Sequence, residues 1–415
     1  MDPRGKFLWW VLPLALVVAG TLAAAGCSAT GQQAGDSGAN VLKIGAALSA
    51  SGSLAHEGDV MKKGYELWKD TVNEKGGLNV GGKKYKVDMV YYDDKSDATT
   101  AGKLVEKLIT EDKVDFIFGP FGSGISAAAS AISEKYKKIF IATIANADTV
   151  YSRGFKYLFG ILPPTTSGFG LNIDYLATLT PKPTKLAIIY PDDLFPASAA
   201  EAAKKKGEQM GFQFVFFQKY PKGTTDLSSI MTQVKAANPD ALLNSGYMED
   251  EVMMVKAAKE LKFNVKYISS LGMPVFAFMK ALGKDSDYLF DAQWWMPQSG
   301  WKGPFFGSSQ DYNALYKKKY NEDATYYSAA ASAGGLVLQT AIGKADSLDV
   351  EKVRAELAKT DMETFFGQIK YDETGFNRTG KGVIIQMKDG KINIVYPENL
   401  ATTKAVYPIP DWDKR

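Results

Sequence analysis

The segment "VDFIFGPFGSGISAAASAI", Val114 to Ile132, carries an apolar run into Gly119, Gly122, Ser123 and Gly124, then switches to an alanine-rich helical pattern. Small residues at a strand-to-helix turn allow one kind of chemistry without any reactive side chain. The first amides of a helix lack carbonyl partners within it, and the helix dipole is positive there, so the turn offers N–H groups to an anion. Ser123 adds a hydroxyl. The same residues could instead only close the turn, with Ser123 as an N-cap contributing about 1 kcal/mol to the helix.

Other reactive chemistry is scarce. The 415 residues hold one histidine, His56, and one cysteine, Cys27, which removes the commonest nucleophile–base pairs. No G-x-x-x-x-G-K-[ST], H-E-x-x-H or C-x-x-C occurs. The expectation is a protein that is not an enzyme and needs no metal and no cofactor, although carboxylate-only chemistry stays open. A net charge of +3 gives no reason to expect nucleic acid.

The N-terminus sets the compartment. "MDPRGK" is a short basic segment, Phe7 to Ala25 is apolar apart from Pro13, Gly20 and Thr21, and "LAAAGC" ends on Cys27. Residues 1–26 read as a cleaved signal peptide, with small residues at the cut. A cysteine directly after the cut resembles the lipobox of bacterial lipoproteins, in which the thiol takes a diacylglyceryl group. Ala24 departs from the leucine most common there. A plain transmembrane anchor is the alternative, since the apolar stretch nearly spans a bilayer. Residues 27–40 lack large apolar residues and read as a flexible tether. The expected location is the outer face of the cytoplasmic membrane or the periplasm, with Cys27 lipid-anchored.

The elements that must position the Ser123 turn follow from Val41 onward. Strand-like runs alternate with helical ones: 41–48, helix 58–77, 84–94, a helix N-capped by Asp97, the strand before Gly119, and "KIFIAT". Such spacing implies parallel βαβ units. The rhythm breaks at Pro163-Pro164 and restarts with strands at 185–193, 212–220, 240–247 and 265–270, separated by helices. A second switch is expected near "DAQWWMP" (291–297) and a third across 365–375, ending in a hairpin turned at Asp389-Gly390. The fold class is α/β: two doubly wound parallel-sheet lobes joined by a three-crossover hinge. Lobe 1 is expected at 41–164 plus 293–366, and lobe 2 at 165–292 plus 367–410. Ligands of open α/β sheets settle beyond the strands' carboxyl ends, here facing the gap between lobes.

This ordered series resembles the type I periplasmic binding proteins, closest to the branched-chain amino acid branch that delivers ligand to an ABC permease. The resemblance runs from about residue 42 to 400 through "IGAALSASGSLAHEGDVMKKGYELWKDTVNEKGG", "YYDDKSDATTAGKLVEKLI", "FIFGPFGSG", "PKPTKLAIIYPDD" and "ASAGGLVLQTAI". It implies that a ligand carboxylate meets backbone N–H groups and a hydroxyl at Gly122 and Ser123. It further implies contacts from Ala145 and Asn146, and closing aromatics at Phe195 and Tyr247. Asn146 stands where threonine or serine is usual, and could satisfy only turn backbone. Phe195 and Tyr247 could be plain core aromatics. Amino-acid binders of the family hold the α-ammonium with an acid after the strand matching "YISSLGMP", but here Leu271 stands near that position. Either the ligand lacks the amine or another acid supplies the charge. Glu57 is the candidate, with a solvated loop acid the alternative. "QWWMPQSGW" and "YYSAAASAGG" could line the cleft, or Trp294 and Trp295 could pack the hinge.

The resemblance implies a small solute, an ABC permease and a lipid-anchored membrane attachment as partners, with the protein a monomer. Leucine-like amino acids, amides, and aromatic or aliphatic acids all remain open as ligands, as does an extracytoplasmic sensor of the same fold.

Overall fold

The computed structural model describes residues 40–415. The signal segment, Cys27 and the tether up to residue 39 lie outside the described residues.

The first lobe opens with β1 (Asn40–Leu48), α1 (Ala55–Glu74), β2 (Leu78–Val80), β3 (Lys83–Asp93), α2 (Ala98–Thr110) and β4 (Phe116–Phe118). It continues with α3 (Ser123–Lys135), β5 (Phe140–Ala142), α4 (Asp148–Tyr151) and β6 (Leu158–Gly160). The strands form one sheet in the order β2-β3-β1-β4-β5-β6, parallel except where β2 meets β3. Helices cover both faces, so β4, β5 and β6 are buried throughout and read as unbroken apolar runs. Asp97 caps α2, its carboxylate accepting the Thr100 N–H at 2.7 Å.

The second lobe begins with α5 (Thr165–Thr178), β7 (Lys185–Pro191), α6 (Leu194–Gln209), β8 (Gln213–Tyr220) and α7 (Ser228–Ala236). Then come β9 (Ala241–Asn244), α8 (Met248–Glu260), β10 (Tyr267–Leu271), α9 (Val275–Leu282) and β11 (Phe290–Gln293). The chain returns to the first lobe for β12 (Lys302–Gly303), β13 (Gly307–Ser308), α10 (Ser309–Tyr320), α11 (Tyr326–Ala345) and α12 (Val350–Leu357). A small hairpin of β14 (Asp361–Thr364) and β15 (Gly367–Lys370) follows. The hairpin β16 (Val383–Lys388) and β17 (Lys391–Tyr396) then completes a second sheet, ordered β17-β16-β11-β10-β9-β7-β8. Its turn is Asp389-Gly390, both at positive φ, the geometry that favours this residue pair.

The long helix α11 belongs to the first lobe because it packs on α1 at two glycines. A side chain on Gly64 would strike the Ser328 carbonyl, and one on Gly335 would strike the Trp68 ring. The third crossing falls later than 365–375. The Gly160 amide donates to the Gly375 carbonyl at 2.9 Å, Asn377 Nδ2 donates to the Ile161 carbonyl at 2.9 Å, and Phe376 stacks on Tyr151. Residues 367–377 therefore stay on the open edge of the first sheet, where unpaired strand groups need partners. The chain crosses after Arg378, and the three crossing segments lie together. A Cβ on Gly380 would stand 2.9 Å from Pro163, and one on Gly382 2.8 Å from the Gln293 carbonyl.

The strand orders also fix where a ligand can sit. In the first sheet the order reverses between β1 and β4, and in the second between β7 and β9. Crevices open beyond the carboxyl ends of such strand pairs. The first turns of α1, α3 and α6 there carry Glu57, Ser123 and Phe195, and the loop before α8 carries Tyr247.

Candidate ligand-binding site between the lobes

After β4 the chain turns through Gly119–Gly122 into α3. Gly122 has φ 82° and ψ 150°, a region open essentially to glycine alone, and its N–H donates to the Ile144 carbonyl at 2.9 Å. Gly122 is the N-cap, without any side-chain cap. Ser123 is thus not the helix cap. Its buried Oγ accepts the N–H groups of Asn146 at 3.2 Å and Ala147 at 3.1 Å. With its lone pairs engaged, the hydroxyl can serve a further partner only as a donor. The first-turn amides of α3, which have no carbonyl partners within the helix, offer the same donor chemistry.

The loop tied to Ser123 is itself fixed. Asn146 is buried and gives its side-chain amide to the Pro163 carbonyl at 2.8 Å, linking it to the first crossing rather than to its own turn. The Ala145 carbonyl accepts the Tyr151 hydroxyl at 2.7 Å, which uses one of its two lone pairs.

From the second lobe, Asp193 caps α6 by accepting the Leu194 N–H at 2.8 Å. Its Oδ2 also accepts the Tyr247 hydroxyl at 3.2 Å and the Lys222 ammonium at 2.7 Å. Tyr247 starts α8, its own N–H donating to Asp250 at 2.9 Å. Its ring centroid lies 6.2 Å from that of Phe195 and 6.1 Å from that of Phe121, in the other lobe. Phe195 leads on to Trp294 at 6.1 Å, and Trp294 to Tyr326 at 5.0 Å. These rings, with Gly122, Ser123, Ile144, Asn146 and Leu162, enclose a cavity of about 10 Å³, the room of a single water.

The chain matches the family model described as periplasmic binding protein over residues 41–391. It belongs to the periplasmic binding proteins. It is similar to the Leu/Ile/Val-binding protein homolog 7 of Brucella abortus (strain 2308), 28% identical over 382 residues covering 88% of this chain and 94% of that one. Solved structures that share its fold include two with bound solutes. One is the branched-chain amino acid transporter substrate-binding protein of Streptococcus pneumoniae in complex with isoleucine, at TM-score 0.75 and 22% identity, covering 89% of this chain and all of that one. The other is a solute-binding protein of R. palustris in complex with benzoate, at TM-score 0.74 and 19% identity, covering 86% and 96%. The chain is a type I substrate-binding protein of the branched-chain amino acid ABC transporter family.

Within this binding protein, five of the expected residues, Gly122, Ser123, Asn146, Phe195 and Tyr247, line one cavity. Ala145 lies behind that wall. Glu57 lines an adjoining pocket of about 210 Å³ on the other side of Tyr247, shared with Leu54, Lys222, Glu249 and Asp250. Burial, reinforced by the Glu249 charge, pushes the Glu57 carboxyl up to about 7. His56 is exposed and lines neither pocket.

Several participants were not legible as such. Trp294 both packs the hinge and walls the cavity, while Trp295 turns to the first lobe and donates to the Phe365 carbonyl at 2.9 Å. Phe121 and Leu162 had one available signal, a large apolar residue in a turn that otherwise holds small ones. Asp291 sits one strand over from Leu271, paired with Ser270 across β10 and β11. It is fully buried, accepts the Gln293 amide, and has no partner on its other oxygen. Glu251 is equally buried, accepting Ser270 at 2.8 Å and the Gly246 N–H at 3.2 Å. Burial raises both carboxyls well above the usual range. Among the described residues, no group of three or more His, Cys, Asp or Glu is placed to hold a metal ion, and no helix is long and apolar enough to cross a membrane.

Proposed function

We propose that this binding protein is lipid-anchored through Cys27 outside the cytoplasmic membrane and takes up a small carboxylate-bearing solute between its lobes for an ABC permease. The observation that carries the reading is Ser123. Its donor-only hydroxyl, at the start of α3 where the helix's first amides lack carbonyl partners, lines a cavity walled by aromatic rings from both lobes. That is a carboxylate seat beside an apolar seat. Isoleucine and benzoate, named with the two solved relatives, are both carboxylates on an apolar body.

The cavity of about 10 Å³ is far too small for such a solute, so the lobes must part to admit it. A solute that bridges Ser123 and Tyr247 favours the shut form by its differential affinity for that form, and the shut form is what the permease reads.

A thermal-shift screen tests the reading, because a ligand that binds the folded state raises its melting temperature. Branched-chain amino acids, aromatic and aliphatic carboxylates, and the matching amides are compared. At least one carboxylate series must raise the midpoint; a response to amides alone removes the carboxylate seat. Anchoring is tested by metabolic labelling with palmitate, which Cys27→Ser must abolish.

A further inference from the structure

We propose that the solute held at Ser123 is an apolar monocarboxylate with no ammonium on its α-carbon, an aryl or branched alkyl carboxylate rather than an amino acid. This rests on the carboxylate reading above and narrows it.

An ammonium shut into a cavity needs an anion beside it, since a buried unpaired charge is strongly disfavoured. The wall offers none. Its bulk is apolar, from Phe121, Ile144, Leu162, Phe195, Trp294 and Tyr326, and its polar members Ser123, Asn146 and Tyr247 are neutral. No aspartate or glutamate lines it.

Five acids stand beside or behind this wall and none lines it; of these, Asp250 accepts the Tyr247 N–H at 2.9 Å and the Tyr220 hydroxyl at 3.1 Å. Asp193 is held by the Lys222 ammonium, the Tyr247 hydroxyl and the Leu194 N–H. Glu57 opens into the adjoining pocket, with Tyr247 between it and the Ser123 cavity. Glu251 is bound by Ser270 and the Gly246 amide, and Asp291, buried on β11, is bound by Gln293 through one oxygen while its unpaired oxygen does not line the cavity. Burial favours the neutral form of Glu57, Glu251 and Asp291, which lowers the charge each could offer to a cation. A des-amino acid, by contrast, matches the wall group by group: carboxylate to Ser123 and the α3 amides, hydrocarbon to the rings.

The experiment is calorimetric titration of the full-length protein with matched pairs that differ in the ammonium alone: leucine against 4-methylpentanoate, and phenylalanine against 3-phenylpropanoate. Benzoate, benzamide and 4-methylpentanamide complete the set. The des-amino member of at least one pair is expected to bind about 100-fold more tightly or better. Equal or tighter binding of the amino acid overturns the inference while leaving the carboxylate seat standing. Binding of the amides but neither acid, or of no compound in the set, overturns the carboxylate reading and the inference with it.

Discussion

The carboxylate of Asp193, in the second lobe, stands 3.2 Å from where a β-carbon on Gly124 of the first lobe would be. Gly124 lies in the first turn of α3, so the shut form brings an acid of one lobe against the amide end of a helix in the other. The φ of Gly124 is ordinary, so what a side chain meets there is the other lobe: even a β-carbon requires Asp193 to give by a few tenths of an ångström. Gly124→Leu is therefore expected to wedge the lobes apart without harming either one. The helix itself gains, because glycine inside a helix costs about 1 kcal/mol relative to good helix formers. The affinity for whichever carboxylate binds should fall at least about tenfold as the shut form becomes rarer. Thermal stability of the ligand-free protein should hold or rise. Calorimetry and the radius of gyration from solution scattering check both, and wild-type affinity in the variant would mean that the Gly124–Asp193 approach does not govern closure.

Ser123→Ala attacks the same site from within the first lobe. The change strips the acceptor from two buried amides, Asn146 and Ala147, and leaving such a group unpaired costs about 1–3 kcal/mol each. Both stability and binding should fall. Hydrogen exchange gives the local signature: the Asn146 and Ala147 amides should lose protection while β5 keeps its own. Unchanged exchange at those two amides would contradict the bonding geometry.

The sequence conveys the lobes and the loops better than the groups inside them. Central strands such as β4 and β9 are covered on both faces, so they read as continuous apolar runs, and the loops after them follow from strand order alone. The helix α5 is hidden because Pro163-Pro164 and Thr165-Thr166-Ser167 read as a break, yet a proline is tolerated just before a helix starts. The third crossing is misplaced because residues 367–377 complete the edge of β6, a tertiary contact with no local signature. Ser123 and Tyr247 are legible because they sit at a helix start and a strand end. Asp193 is not, since an N-cap aspartate looks the same whether or not another lobe lies against it.

Glu57 sets a pH dependence whose sign follows from its burial. Its carboxyl titrates near 4.5 when solvated and is pushed up to about 7 in the fold. Between those values the folded protein holds a proton the unfolded chain has released, so stability is full below about 4.5 and declines as pH rises towards 7. The loss saturates at up to about 3 kcal/mol. Glu57→Gln keeps the size and removes the titration. It should be more stable than wild type at pH 8, equal to it at pH 4.5, and flatter between. Denaturant unfolding of the two proteins across that range is the measurement, and parallel curves would show that Glu57 is not charged at a cost.

Trp294 sets two effects against each other. Its ring walls the cavity and presses on Gly168 and Gly272, while its buried Nε1–H has no acceptor among the described residues. Trp294→Phe sacrifices buried ring area, roughly 1–2 kcal/mol for the few atoms removed. It also removes an unpaired donor that costs about 1–3 kcal/mol. The two nearly cancel, so unfolding free energy should move by no more than about 1 kcal/mol, an unusually small change for so large a side chain at a wall. The space released adds to a cavity of about 10 Å³, so the preference should shift towards bulkier acids. The ratio of 2-naphthoate to benzoate affinity reads this directly. A large loss of stability would mean that the indole N–H is satisfied after all; an unchanged ratio would mean that the ring at position 294 does not bound the solute.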